Sequence, residues 1–245
     1  MSETACKKLK SSIFVSLIAI FASFNIVCSS LIAYPLPYSG VWYSWVFVSA
    51  PVTGIILGPL AGFFSILIGA MVGNFIIFID VYEFLFMLGA PLGAMISALV
   101  FRGKWNIVLT YYIVLLAGYF VVPVAWVLPL WGMWDVYLAF AVLLATAVIA
   151  TKWKNLWDNQ SNVRLFYIFA LSAFIGLEAD VLFRIFVLVP CQTYSLFYGL
   201  DSGALQAIWA LGAIETPIKA ALSTLITVMI GPPIVHVVRK MGLSV

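Results

Sequence analysis

Apolar residues run in long stretches along this chain, and polar or charged residues gather in short interruptions. Between Lys10 and Asp80 there is no charged residue at all. That interval has room for three bilayer crossings at about 20 residues each. Turn chemistry or charge marks the breaks: Tyr34-Pro35-Leu36-Pro37, Gly58-Pro59, Asp80 to Glu83, Arg102-Gly103-Lys104, Gly132 to Asp135, Lys152 to Asn162 and Pro190 to Gly203. The pattern predicts helices at roughly 11–33, 43–58, 60–79, 84–101, 106–131, 135–151, 164–190 and 205–231. The expected fold is all-α, a polytopic membrane helical bundle of about eight transmembrane segments in one integral domain over residues 1–245. The 43–58 run is short and contains Pro51, and the 135–151 run is short as well. A six-helix core with two additional or re-entrant pieces is therefore the alternative count.

Composition strengthens the membrane reading. The 245 residues are 65% hydrophobic and 9% charged, with a mean hydropathy of +1.16. A soluble domain is about half apolar and a quarter charged, so lipid is the solvent that fits. Met1 to Lys10 has the basic character of a signal-peptide n-region. The apolar run after it is long, however, Asn25 interrupts it, and no small-residue cleavage site stands out. The expectation is a retained first helix.

Charge then sets an expected orientation. Ten of the twelve basic residues fall on one side of this topology: Lys7, Lys8, Lys10, Arg102, Lys104, Lys152, Lys154, Arg164, Arg239 and Lys240. The other side receives Asp80, Glu83, Asp135 and Asp201 and no Lys or Arg; Asp80 and Glu83 read as solvated loop acids, with gating or substrate contact as the alternative. Positive charge marks the cytoplasmic face, so a multi-pass protein of the cell (plasma) membrane with both termini cytoplasmic is expected. Residues 1–10 and 232–245 would lie at that surface. An unbroken helix from Ala204 to Lys240 would span about 55 Å against a hydrocarbon core of about 30 Å. A break at Gly231-Pro232-Pro233 is therefore expected, leaving Ile234 to Lys240 as a short surface helix. Trp42, Trp45, Trp131 and Trp134 fall near the outer interface and Trp105, Trp153 and Trp157 near the inner one, as an aromatic belt would place them.

Several chemistries find no support. The three cysteines, Cys6, Cys28 and Cys191, form no CxxC and no Cys/His cluster, and His236 is the only histidine. No metal site, cofactor or thiol-redox centre is implied. Cys28 and Cys191 fall toward the same side, so a disulfide stands beside the plainer reading of two isolated thiols packed as small hydrophobes. GxSxG, HExxH and the P-loop lysine motif are all missing, so no enzymatic activity is expected. The basic residues mark topology and give no reason to invoke nucleic acid.

The informative residues are five charges inside the last two long apolar segments: Glu178, Asp180, Arg184, Glu215 and Lys219. A charge at bilayer depth costs at least about 2.5–3.5 kcal/mol, so it persists where it meets a partner, a cavity or a substrate. Counting along the helices puts Glu178, Asp180 and Glu215 near the midplane. Asp180/Arg184 and Glu215/Lys219 are each spaced four apart, which places each pair on one helix face with the acid first. One reading is purely structural: two ion pairs locking the last two long helices together. The other is a polar pocket in the outer half. Glu178 is turned about 200° from Asp180 on an ideal helix, which leaves it as the acid without a partner. Trp209 would stack on a ring in such a pocket, and Asn74 is either a ligand contact or an interhelical hydrogen-bonding group. Tyr194, Tyr198 and Gln192, with Tyr38, Trp42 and Tyr43, lie in outer segments long enough to cover it.

Residues 50–79 add a resemblance. The second helix is rich in small residues and holds Pro51. A Gly58-Pro59-Leu60-Ala61-Gly62 turn follows, then a glycine-spaced third helix, and Tyr34-Pro35-Leu36-Pro37-Tyr38 precedes the whole. This is similar to the substrate-binding S component of energy-coupling factor (ECF) transporters, and Glu215-Thr216-Pro217-Ile218-Lys219-Ala220-Ala221 resembles the last helix of such proteins. The resemblance implies capture of a vitamin-like molecule or transition-metal ion from outside and delivery with a transmembrane coupling subunit and two ATPase subunits. Without a histidine cluster, an organic micronutrient is the expected substrate. The first helix of such proteins packs on the coupling subunit through small residues at four-residue spacing, here Ser12, Ser16, Ala19 and Ser23; packing within the chain is the plainer role for them. Expected substrate contacts are Asn74, Glu178, Asp180, Arg184, Trp209, Glu215 and Lys219. The competing expectations are a stand-alone proton- or ion-coupled secondary transporter using Glu178 or Glu215, and a membrane-embedded enzyme or structural assembly protein.

Overall fold

A computed structural model describes residues 3–31, 44–77, 81, 83–152 and 162–240. Among the described residues, ten α-helices run in the order α1 (Glu3–Ser30), α2 (Val46–Leu57), α3 (Pro59–Ile76), α4 (Glu83–Phe86), α5 (Gly89–Phe101), α6 (Trp105–Val121), α7 (Trp134–Lys152), α8 (Asn162–Leu188), α9 (Thr193–Leu196) and α10 (Ser202–Lys240). Every predicted segment is helical, and the described residues hold no strand. Among the described residues, six stretches are long and apolar enough to cross a membrane: Ser12–Ser30, Pro59–Ile76, Glu83–Phe101, Leu130–Ala150, Leu165–Leu188 and Ser202–Lys240. The protein is a membrane-embedded all-α bundle. The shorter apolar helices are α2 and α6, with 12 and 17 residues.

Two boundaries differ from expectation. The predicted 106–131 helix stops at Val121, and Pro123–Val127 and Leu130–Met133 form 3₁₀ turns. Pro123 and Pro129 supply no N–H, so an α-helix cannot run through them unaided. The second difference is α10. It runs unbroken through Pro217, Pro232 and Pro233, so the expected surface helix at Ile234 to Lys240 does not separate. Val235 and Val238 are buried in one cluster with Ile55, Ile56 and Phe169, and that packing holds the continuation in line. Pro217 leaves the Ala213 carbonyl without its helical donor, and Trp134 Nε1 donates to it at 2.9 Å.

In lipid, helices associate through close packing and interhelical hydrogen bonds, and small residues set the closest approaches here. A Cβ on Gly93 of α5 would stand 2.7 Å from the Gly176 carbonyl oxygen of α8, and one on Gly176 would stand 2.7 Å from that of Gly93. Gly69 and Gly73 of α3 face Asn25 and Ser29 of α1 in the same way. Asn25 is buried and donates from Nδ2 to Thr53 Oγ1 at 3.3 Å, tying α1 to α2. The hydroxyls of Tyr111 and Tyr112 donate to the carbonyls of Ala179 and Ile175 at 2.8 and 2.7 Å, fixing α6 on α8. At the α2–α3 junction Gly58 has φ +89° with the Arg102 guanidinium against it, and Pro59 starts α3. The positive φ strains any side chain there, and a β-carbon would also push the Arg102 guanidinium aside, which explains the Gly-Pro turn.

Side-chain placement refines three of these points. Asp135, expected at an outer break, is buried at the start of α7, where it accepts the Val136 N–H at 2.9 Å and the Thr216 hydroxyl. Trp105 is buried in the main core cluster and does not join an aromatic belt, whereas Trp45, Trp131 and Trp134 are exposed. Cys28 is a buried free thiol and Cys191 an exposed one, so they are not bridged. Tyr38, Trp42, Tyr43, Asp80, Trp153 and Trp157 lie outside the described residues.

Candidate functional site

At the end of the bundle where α1 and α3 finish and α10 begins, the helices splay around a cavity of about 440 Å³. At about 30 Å³ per water that is space for a molecule of micronutrient size, within the range of ordinary small-molecule sites. Its walls are mostly apolar, including Val46, Phe47, Phe86, Met87, Leu177, Val181 and Ile208. Polar groups converge from separate elements: Ser29 from α1, Asn74 from α3, Glu83 from α4, Asp180 and Arg184 from α8, Thr216 and Lys219 from α10.

The α8 wall follows from spacing. Asp180 and Arg184 share a face, and Arg184 Nε donates to Asp180 Oδ1 at 2.6 Å. Arg184 also reaches Glu83 Oε1 at 3.7 Å. Gly89 makes this possible, since a Cβ there would strike Asp180 Oδ1 and stand 3.1 Å from Arg184 Nε. On α10, Lys219 Nζ lies 3.4 Å from Glu215 Oε1 and within electrostatic reach of Arg184 and Asp180. Both predicted ion pairs therefore form along their own helices, and their basic ends meet in the cavity.

Of the seven predicted contacts, Asn74, Asp180, Arg184, Trp209 and Lys219 line the cavity. Glu178 and Glu215 do not. Glu178 is fully buried, as its rotation from Asp180 implies, and neither of its oxygens has a hydrogen-bond partner. It sits behind the cavity wall, in electrostatic range of Asp135, Asp180 and Tyr112. Trp209 is largely committed: its Nε1 donates to the Pro129 carbonyl at 2.9 Å, and its ring stacks on Tyr119 at 5.9 Å and 3°. Gly132 permits that pose, because a Cβ there would collide with the indole.

Sequence reasoning underrated two acids. Glu83 reads as a loop acid, but it opens an apolar helix and lines the cavity. Asp135 falls at an outer break of the predicted helices, yet Thr216 draws it inside. The available signal was local, a charge at the first turn of an otherwise apolar run; the partner 81 residues away was not visible. Tyr198 lines the cavity, Tyr194 is buried and Gln192 is exposed. Among the described residues no three His, Cys, Asp or Glu side chains are grouped to hold a metal ion. No family model matches this chain, and no curated protein or solved structure matches it significantly.

Proposed function

We propose that this protein is a membrane-embedded substrate-capture subunit of an ECF-type importer, binding a small organic micronutrient from the outer side. The observation that carries the reading is the cavity: an apolar-walled space of about 440 Å³ with Asn74, Asp180, Arg184 and Lys219 converging on it. The chain has no phosphate-binding loop, so under this reading energy comes from a coupling subunit and two ATPases. Ser12, Ser16, Ala19 and Ser23 are all exposed on α1, as contact with a coupling subunit requires; small residues allow close helix approach in lipid. Lysine and arginine are concentrated at the end opposite the cavity, which favours cytoplasmic termini and a cavity facing outward. The protein works here by binding and carries out no chemistry of its own.

Native mass spectrometry of the purified protein tests the reading. The expected result is a co-purified small molecule that is lost in Gly212→Phe. Gly212 lines the cavity, and a Cβ there meets nothing within 4 Å, so the new ring fills the space instead of breaking the fold. A bound molecule that survives this substitution counts against the assignment. One observation favours a second reading, a stand-alone proton-coupled carrier: Glu178 is an intramembrane acid with no hydrogen-bond partner. Uptake by this chain alone in proteoliposomes under a pH gradient would select it.

A further inference from the structure

The polar side chains around the cavity divide into charged groups already joined to one another and uncharged groups with bonding capacity to spare. We infer that the ligand carries a neutral N–H/C=O edge, as in a lactam, ureido or carboxamide group, and that Asn74, with Ser29 and Ser44 beside it, recognises that edge. This rests on the capture reading above and deepens it.

Helices α1 and α3 place the uncharged set. Ala70, Asn74 and Ile77 of α3 all line the cavity, as residues four and then three apart on one helix face do. Gly73 lets α1 close against α3 here, since a Cβ on it would collide with the Ser29 side chain. The Trp45 N–H donates to the Cys28 carbonyl at 3.0 Å, which holds Ser44 alongside Ser29. Ser29 is buried, Ser44 and Asn74 are half-buried, and all three line the cavity. Among the described residues none of these three side chains makes a hydrogen bond.

Other polar groups on the walls are engaged. The Thr216 hydroxyl is held by Asp135 and the Gly212 carbonyl, and Trp209 Nε1 by the Pro129 carbonyl. Arg184 pairs with Asp180 and Glu83, and Lys219 with Glu215. A charged ligand head would compete with these pairs and shed its own hydration against mostly apolar walls. A neutral head disturbs none of them.

The chemistry of Asn74 narrows the neutral head further. A carboxamide presents a donor, Nδ2, beside an acceptor, Oδ1. It therefore matches a group that offers C=O and N–H side by side, through two parallel hydrogen bonds. A carboxylate only accepts and an ammonium only donates, so neither completes that pair. The serine hydroxyls each donate or accept as the remaining lone pairs and protons require. Val46, Phe47, Phe86 and Met87 line the same cavity and supply an apolar bed for the rest of the molecule.

Bicyclic probes of nearly one size test the inference on the full chain in nanodiscs, read by ligand-detected NMR with empty nanodiscs subtracted. They are 3,4-dihydro-2(1H)-quinolinone (a lactam), its N-methyl derivative, 1,2,3,4-tetrahydroisoquinolinium and 1,2,3,4-tetrahydro-2-naphthoate. The lactam is expected to bind at least about tenfold more tightly than each of the others, because a site built to bond an N–H discriminates against an analogue without it. Asn74→Leu should bring the lactam down to the level of its N-methyl derivative without lowering the unfolding midpoint, since Asn74 gives up no internal hydrogen bond. The N-methyl comparison on the unsubstituted protein needs no variant to fold. Gly212→Phe should abolish lactam binding. Preference for the cation or the anion, again lost in Gly212→Phe, overturns the neutral-edge assignment and leaves the capture reading standing. Equal binding of the lactam and its N-methyl derivative, or lactam binding that ignores Asn74→Leu, also overturns it. If no probe binds, the assignment fails; if Gly212→Phe also leaves any co-purified molecule in place, the capture reading fails with it.

Discussion

At the scale of single residues, the spacing of charges decides most of what the bundle holds. Asp180/Arg184 and Glu215/Lys219 pair along their helices because four residues return the chain to one face. Glu178 falls on the opposite side of α8 and meets no hydrogen-bond partner. Burying a polar group without a partner costs about 1–3 kcal/mol in proteins, so this residue opposes stability. Glu178→Met is expected to raise the thermal unfolding midpoint in detergent, corresponding to about 1 kcal/mol or more. A lower midpoint would mean that Glu178 holds a structural contact. Higher stability together with lost uptake would mark Glu178 as a residue kept for function.

At the scale of elements, the three prolines inside α10 shape that helix without ending it, whereas Pro123 and Pro129 follow the end of α6. Pro217 frees the Ala213 carbonyl, and the Trp134 indole fills the vacancy at 2.9 Å. An orphaned carbonyl away from water costs about 1–3 kcal/mol, so Trp134→Phe should destabilise by an amount in that range. In a Pro217→Ala background the helix supplies its own N–H, and the same substitution should cost less. A double-mutant cycle on unfolding free energies measures this coupling. Equal costs in both backgrounds would show that Trp134 acts through packing alone. The same logic explains α10 beyond Gly231: Val235 and Val238 bury their side chains, and that packing outweighs the turn signal of Gly231-Pro232-Pro233.

At the scale of the whole molecule, asymmetry between the two ends is the main feature. α10 has 39 residues and spans about 58 Å, nearly twice a hydrocarbon core of about 30 Å. Its end, with His236, Arg239 and Lys240 exposed, therefore stands clear of the lipid at the basic face. The cavity lies at the acidic face. With cytoplasmic termini, a membrane-impermeant maleimide applied to intact cells carrying Cys6→Ser should label exposed Cys191 and spare buried Cys28. Labelling only after lysis would invert the orientation and put the cavity on the inside.

The sequence by itself determined the solvent, the helical class, the eight helical segments and the two i,i+4 ion pairs. Each depends on composition or on a short-range period that any stretch of chain carries with it. It also singled out Glu178, because rotation about a helix axis is a local quantity. Tertiary structure alone decided the rest. It showed that Asn74, Glu83, Asp180, Arg184, Lys219 and Trp209, spread over four helices, border one cavity. It buried Asp135 beneath Thr216, and it kept α10 unbroken through three prolines. Those outcomes depend on which helices lie side by side, and glycine contacts such as Gly93 with Gly176 and Gly89 with Asp180 decide that only when the whole bundle is assembled.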